Sequence, residues 1–137
     1  MRTLVLALVI SFALSGCATR DGVREDKSFG VGKWYPVTEE QAKTISRAIL
    51  RAEGAESFEE DEHYLSADLG WSFGTAGTLV GVWFDARDAQ STGVTVLTRR
   101  KLAISMGTGL GETAFHERFE RGIAWLRSGR PVPNELE

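Results

Sequence analysis

The sequence predicts an α+β domain in which an antiparallel sheet of three to four strands carries an N-terminal and a C-terminal helix on one face. Three observations lead there. Helical spacing of apolar residues is confined to two stretches, Thr38 to Ala52 and Glu112 to Ser128. Between Glu56 and Met106 the period changes to that of extended chain. The strands are thus grouped rather than alternating with helices, which separates α+β from α/β order.

Phe29 to Val37, with Trp34 and Tyr35, reads as a first strand or an ordered lead-in, and Pro36 restricts any central role. Thr38-Glu39-Glu40-Gln41 matches a capping box and opens the first long helix. Ala42, Ile45, Ala48, Ile49 and Ala52 form its apolar face, Lys43, Arg47 and Arg51 a basic stripe, and Gly54 its stop. The basic stripe is expected to be a solvated face. The acidic run Glu59-Glu60-Asp61-Glu62-His63 is expected to be a solvated turn, since it lacks the ligand rhythm of a calcium loop.

Tyr64 to Trp71, Thr78 to Asp85 and Val94 to Arg100 are the strand candidates. Thr78 to Asp85 is apolar on both faces, which places it centrally. Leu102, Ile104 and Met106 continue the alternation beyond the basic Arg99-Arg100-Lys101, whose charges at a strand end oppose edge-to-edge pairing. Phe115, Phe119, Ile123 and Leu126 form the stripe of the second helix, and Gly129 with Pro131 ends it. The layout loosely resembles that of small α/β sandwich domains found in proteobacterial lipoproteins, a likeness of architecture that carries no functional residues.

The extreme N-terminus has its own pattern. Met1-Arg2-Thr3 is a short positive segment, Leu4 to Leu14 an apolar run of about eleven residues, and Leu14-Ser15-Gly16-Cys17 ends in the only cysteine of the chain. The apolar run is short of the roughly 20 residues a spanning helix needs, and polarity returns at Thr19-Arg20-Asp21. The four residues before and at the cysteine resemble the lipobox of bacterial prolipoproteins. That resemblance implies cleavage before Cys17 and diacylglycerol on its thiol, with palmitate-type chains anchoring the protein in the cell envelope. One acyl chain binds marginally, at roughly 0.8 kcal/mol per buried methylene, and two or three hold stably. Ala18, where an aspartate would retain such a protein at the inner membrane, favours the periplasmic face of the outer membrane. The expected organisation is signal peptide 1–16, lipidated cysteine and flexible tether 17–28, folded domain 29–130 and a loosely ordered tail 131–137. Ala18 to Lys27 reads as tether because it is mixed in charge and nearly free of apolar groups.

Cleavage would leave about 121 residues, one ordinary domain. The formal charge of −3 becomes about −4 without Arg2, and no basic footprint for nucleic acid is present. With Cys17 acylated no thiol remains for a disulfide, so packing must stabilise the domain.

Catalytic patterns are weak. Gly107-x-Gly109-x-Gly111 precedes a helix but lacks the lysine and hydroxyl of a phosphate loop, and Glu112 would repel an anion. Glu112, His116 and Glu120 share a stripe at i, i+4, i+8, yet the second histidine of a zinc-protease helix is absent. An exposed face whose carboxylates favour charged His116 is the simpler expectation. Neither histidine sits in a nucleophile context. No metal or cofactor is expected. Trp71 and Phe73, among Gly70, Gly74 and Gly77, are the candidate partner-binding residues, because large aromatics flanked by small residues make contact hot spots; the alternative is that they alternate inward from a strand and fill the core. The expected role is a non-catalytic interaction or structural module of the envelope with a protein or cell-wall partner. A small-ligand or lipid-binding module is the alternative, and would need an apolar pocket.

Overall fold

A computed structural model describes residues 18–70, 77–101 and 110–137. A short helix α1 (Arg20–Glu25) and a 3-10 turn (Lys27–Phe29) lead into β1 (Val31–Tyr35), then α2 (Glu39–Ala52), β2 (Phe58–Asp61), β3 (Tyr64–Leu69), β4 (Thr78–Asp88), β5 (Ser91–Arg100) and α3 (Glu112–Arg127). The strands form one antiparallel sheet in the order β1-β5-β4-β3-β2. The α+β class and the antiparallel sheet are as expected, and β4, apolar on both faces, is the middle strand.

Among the described residues the sheet has five strands rather than three or four. The addition is β2, which occupies most of the acidic run expected to be a turn. Phe58 pairs with Ala67 and Asp61 with Tyr64, leaving only Glu62 and His63 to turn. An edge strand borrows its hydrogen bonds from one neighbour and exposes much of its surface, so three carboxylates are tolerated there.

One face of the sheet carries both long helices. Tyr35, Val80, Val82, Phe84, Val94 and Val96 pack with Ala42, Ile45 and Ile49 of α2 and with Phe115, Phe119 and Ile123 of α3. Both halves of the Thr38–Gln41 capping box are present. The helices approach closely at Gly122, where a Cβ would lie 2.7 Å from Ile45 Cγ2. Residues 131–137 are not a loose tail: Leu136 is buried against this core and its N–H donates to the Ala48 carbonyl at 3.0 Å. Val132 packs against the same core, so two apolar residues anchor the segment.

The expected tether is also partly folded. Thr19 Oγ1 accepts from the Gly22 N–H at 3.1 Å and starts α1. Val23 of that helix is buried against Tyr64, Leu79, Trp83 and Leu97 on the outer face of the sheet, with Ala18 packed beside them. Gly81 makes the seat, since a Cβ there would lie 2.9 Å from Val23 Cγ1. Burying one valine contributes about 1.5–3 kcal/mol towards ordering a short segment whose composition otherwise argues for disorder.

Candidate functional site

Cys17, Trp71 and Phe73 lie outside the described residues, as do 102–109 with Leu102, Ile104, Met106, Gly107 and Gly109. The flanks of the aromatic segment are placed. Leu69 pairs with Thr78, and Gly77 has φ of +98° with the Leu69 carbonyl 2.9 Å from where its Cβ would be, a conformation that requires glycine.

The basic stripe of α2 and the acidic run meet each other. Arg47 is paired with Glu60, and the Arg51 guanidinium lies 5.4 Å from the Phe58 ring centroid. Lys43 is buried; its ammonium donates to the Glu62 carbonyl and lies 3.3 Å from Glu39 and 3.6 Å from Glu40. Glu39 also accepts from His63 Nδ1 at 2.8 Å. The stripe is therefore an intramolecular contact that fixes the β2–β3 hairpin on α2, and the expectation of a purely solvated face is corrected.

His116 is corrected too. It is fully buried, not exposed. Its Nε2–H donates to the Val31 carbonyl at 2.8 Å, so Nδ1 is bare and accepts the Tyr35 hydroxyl at 2.7 Å. Two structural partners thus set the neutral tautomer. Burial lowers the His116 pKa and outweighs the opposing Val31 bond; Lys33 lowers it further, while Glu120 and Glu112 act upward. Burial, with Glu120 nearby, pushes the Tyr35 phenol above its usual range. The carboxylates of the supposed ligand stripe diverge. Glu112 accepts the Thr98 N–H and hydroxyl at 2.9 and 3.0 Å, and Glu120 faces Lys33 at 3.5 Å. Among the described residues no group of three or more His, Cys, Asp or Glu side chains could hold a metal ion. What the site does is tie α3 to the edge strand β1.

The outer face of the sheet holds the features sequence reasoning missed. Arg20, Arg24 and Lys27 of the N-terminal segment pair with Glu59, Asp61 and Asp85 of the strands, and Lys101 pairs with Asp68 at 2.6 Å. Beside this clamp, Phe29 and Trp34 are 69 % and 55 % exposed. The Trp34 ring lies over Gly93, where a Cβ would come within 3.3 Å of it. Arg87 stacks on the Trp34 ring with its guanidinium carbon 4.8 Å from the centroid, and Arg99 lies 5.9 Å from the Phe29 ring. The one signal in the sequence is Val23, the lone branched apolar residue in a charged run; the place of Gly93 opposite Trp34 is set by the β1–β5 register, which the sequence does not carry. No protein-family model, curated protein or solved structure matches the chain.

Proposed function

We propose that this chain is a lipid-anchored protein of the bacterial cell envelope, held by acyl chains on Cys17, and that its folded part acts without catalysis as an interaction or structural module on the periplasmic side. The observation that carries the reading is Leu14-Ser15-Gly16-Cys17 directly after an apolar segment too short to span. One feature supports it. Glu112 and His116, which in the sequence share the stripe resembling part of a zinc-protease helix, each hold one element to another.

Ala18 after the acylated cysteine favours the outer membrane. Trp71 and Phe73 remain the proposed contact for a protein or cell-wall partner. The test of the anchor is the intact mass of the N-terminal peptide from membranes, together with Cys17→Ala. The expected result is a diacylglyceryl adduct on Cys17 in the wild type and an unprocessed or released variant. An unmodified Cys17, or normal membrane retention of Cys17→Ala without precursor, overturns the reading.

A further inference from the structure

We propose that the outer face of the sheet, at Phe29, Trp34, Arg87 and Arg99, rests on the phospholipid headgroup layer of the membrane that holds the anchor. The inference depends on acylation of Cys17 and adds to it an orientation and a contact surface. Its first support is where the ordered chain begins. Ala18 already packs against the outer-face cluster, so one peptide link, about 3.8 Å between Cα atoms, separates Cys17 from the folded domain. A flexible spacer would leave the domain free to tumble above the bilayer. A folded one brings this face down with the lipid.

The second support is the chemistry of that face. Phe29 and Trp34 are two of three exposed large hydrophobic side chains among the described residues, the third being Val31 at the edge of the sheet. Tryptophan suits the membrane interface because its ring is apolar and its N–H remains able to bond. Arg87 and Arg99 lie over these same two rings. A guanidinium can donate two parallel bonds to a phosphate while its ring partner enters the acyl boundary.

Net charge is not the recognising feature. Four carboxylates of the face, Glu59, Asp61, Asp68 and Asp85, are neutralised by Arg20, Arg24, Lys101 and Lys27, but Asp21 and Glu25 of α1 are exposed. The ligand chemistry is therefore the phosphodiester and interface common to phospholipids, not an anionic leaflet alone.

The strand edges fit a membrane occupant better than a partner strand. The Val31 carbonyl of β1 is taken by His116, the Tyr35 carbonyl by the Val37 N–H, and β2 exposes Glu59, Glu60 and Asp61.

The experiment uses the acylated full chain in vesicles of phosphatidylethanolamine and phosphatidylglycerol, with phospholipids brominated near the headgroup as tryptophan quenchers. The expected result is quenching that loses at least half its extent in Trp34→Phe, which keeps an aromatic at an exposed position, and is unchanged in Trp71→Phe. It should be equally present in vesicles of phosphatidylethanolamine and phosphatidylcholine. Quenching that follows Trp71, or none in a chain that floats with the vesicles and carries the Cys17 adduct, overturns the proposed surface and leaves the anchor intact. A chain without the adduct overturns both. Quenching confined to anionic vesicles assigns the contact to charge and overturns the aromatic-guanidinium assignment.

Discussion

Val23 tests whether the segment after the cysteine is folded onto the sheet or free. Its side chain is almost completely buried between Gly81, Tyr64, Leu79, Trp83 and Leu97. Val23→Ala removes about two methylene equivalents, worth about 1.6 kcal/mol at roughly 0.8 kcal/mol each, and so raises the undocked population about fifteenfold. Each ion pair contributes less. The side chains of Arg24, Asp61, Lys27 and Asp85 are all between 42 % and 55 % exposed, and such pairs typically contribute about 0–1 kcal/mol. Hydrogen exchange on the acylated chain in mild detergent reads the result at four amides, Val23, Asp26, Phe29 and Gly30, whose donors bond to Thr19, Val23, Asp26 and Lys27. Their exchange should rise about fifteenfold in Val23→Ala. The amides of α2 and β4 should be unaffected, because the opening is local. Exchange unchanged by Val23→Ala refutes the reasoning. So does wild-type exchange that rises as steeply in about 0.5 M salt, where screening acts within a few Å, because the ion pairs would then hold the segment.

Acid should destabilise the fold through His116. Its native pKa lies below the ordinary value of 6.5, so between those two values the unfolded chain binds more protons and stability falls as pH drops, by up to about 1.4 kcal/mol per unit, levelling below the native value. His116→Gln should remove that slope; an unfolding free-energy difference between wild type and variant that is the same at neutral and mildly acid pH would count against it. For the proposed partner contact, a photo-crosslinker at position 71 in cells should give one discrete adduct that disappears in Phe73→Ala, and no adduct from a folded, membrane-bound protein would remove Trp71 from the contact.

What could be read from the sequence follows the range of the interactions involved. The capping box at Thr38 and Gln41 is local, and α2 stands where its spacing placed it. The central position of β4 was legible because both its faces are apolar. The acidic strand β2 was not, since its ladder to β3 and its cover from Arg47 and Arg51 come from elsewhere in the chain. In α3 the apolar stripe was read through Phe115, Phe119, Ile123 and Leu126, whereas the buried set is Phe115, His116, Phe119, Gly122 and Ile123. A histidine and a glycine do not register as apolar, so the stripe points the right way but is too narrow: at 3.6 residues per turn, Gly122 and His116 flank it on either side. Tyr35 and the Val31 carbonyl make His116 tolerable inside, and Ile45 with Leu136 occupies the space left by Gly122. None of those partners is within a few residues in sequence. Of the proposed site residues, Cys17 rests on a local motif, whereas Trp34 acquires its role only from register, through Gly93 beneath it and Arg87 beside it.

The folded linker changes what the proposed lipid anchor would do to a weak surface. Two rings and two guanidinium groups on a chain free in solution would hold a bilayer feebly, since only a part of each ring can enter the interface. Anchored through a link of one residue, the same contact becomes intramolecular, and its strength depends on effective concentration, which is highest when the linker matches the span and falls as it lengthens. Docking of Val23 therefore couples to contact at Trp34 through geometry alone. Releasing α1 would convert one peptide link into a dozen free residues, able to extend to about 40 Å at 3.3–3.6 Å each, and would dilute the patch away from the headgroups while uncovering Leu79, Trp83 and Leu97. In the proposed orientation, Val23→Ala must then weaken quenching of Trp34 by brominated lipid even though residue 23 touches neither Trp34 nor the anchor. Undiminished quenching in a variant whose residues 23–30 exchange at the rate of a free chain would show that the outer face finds the membrane without being held there.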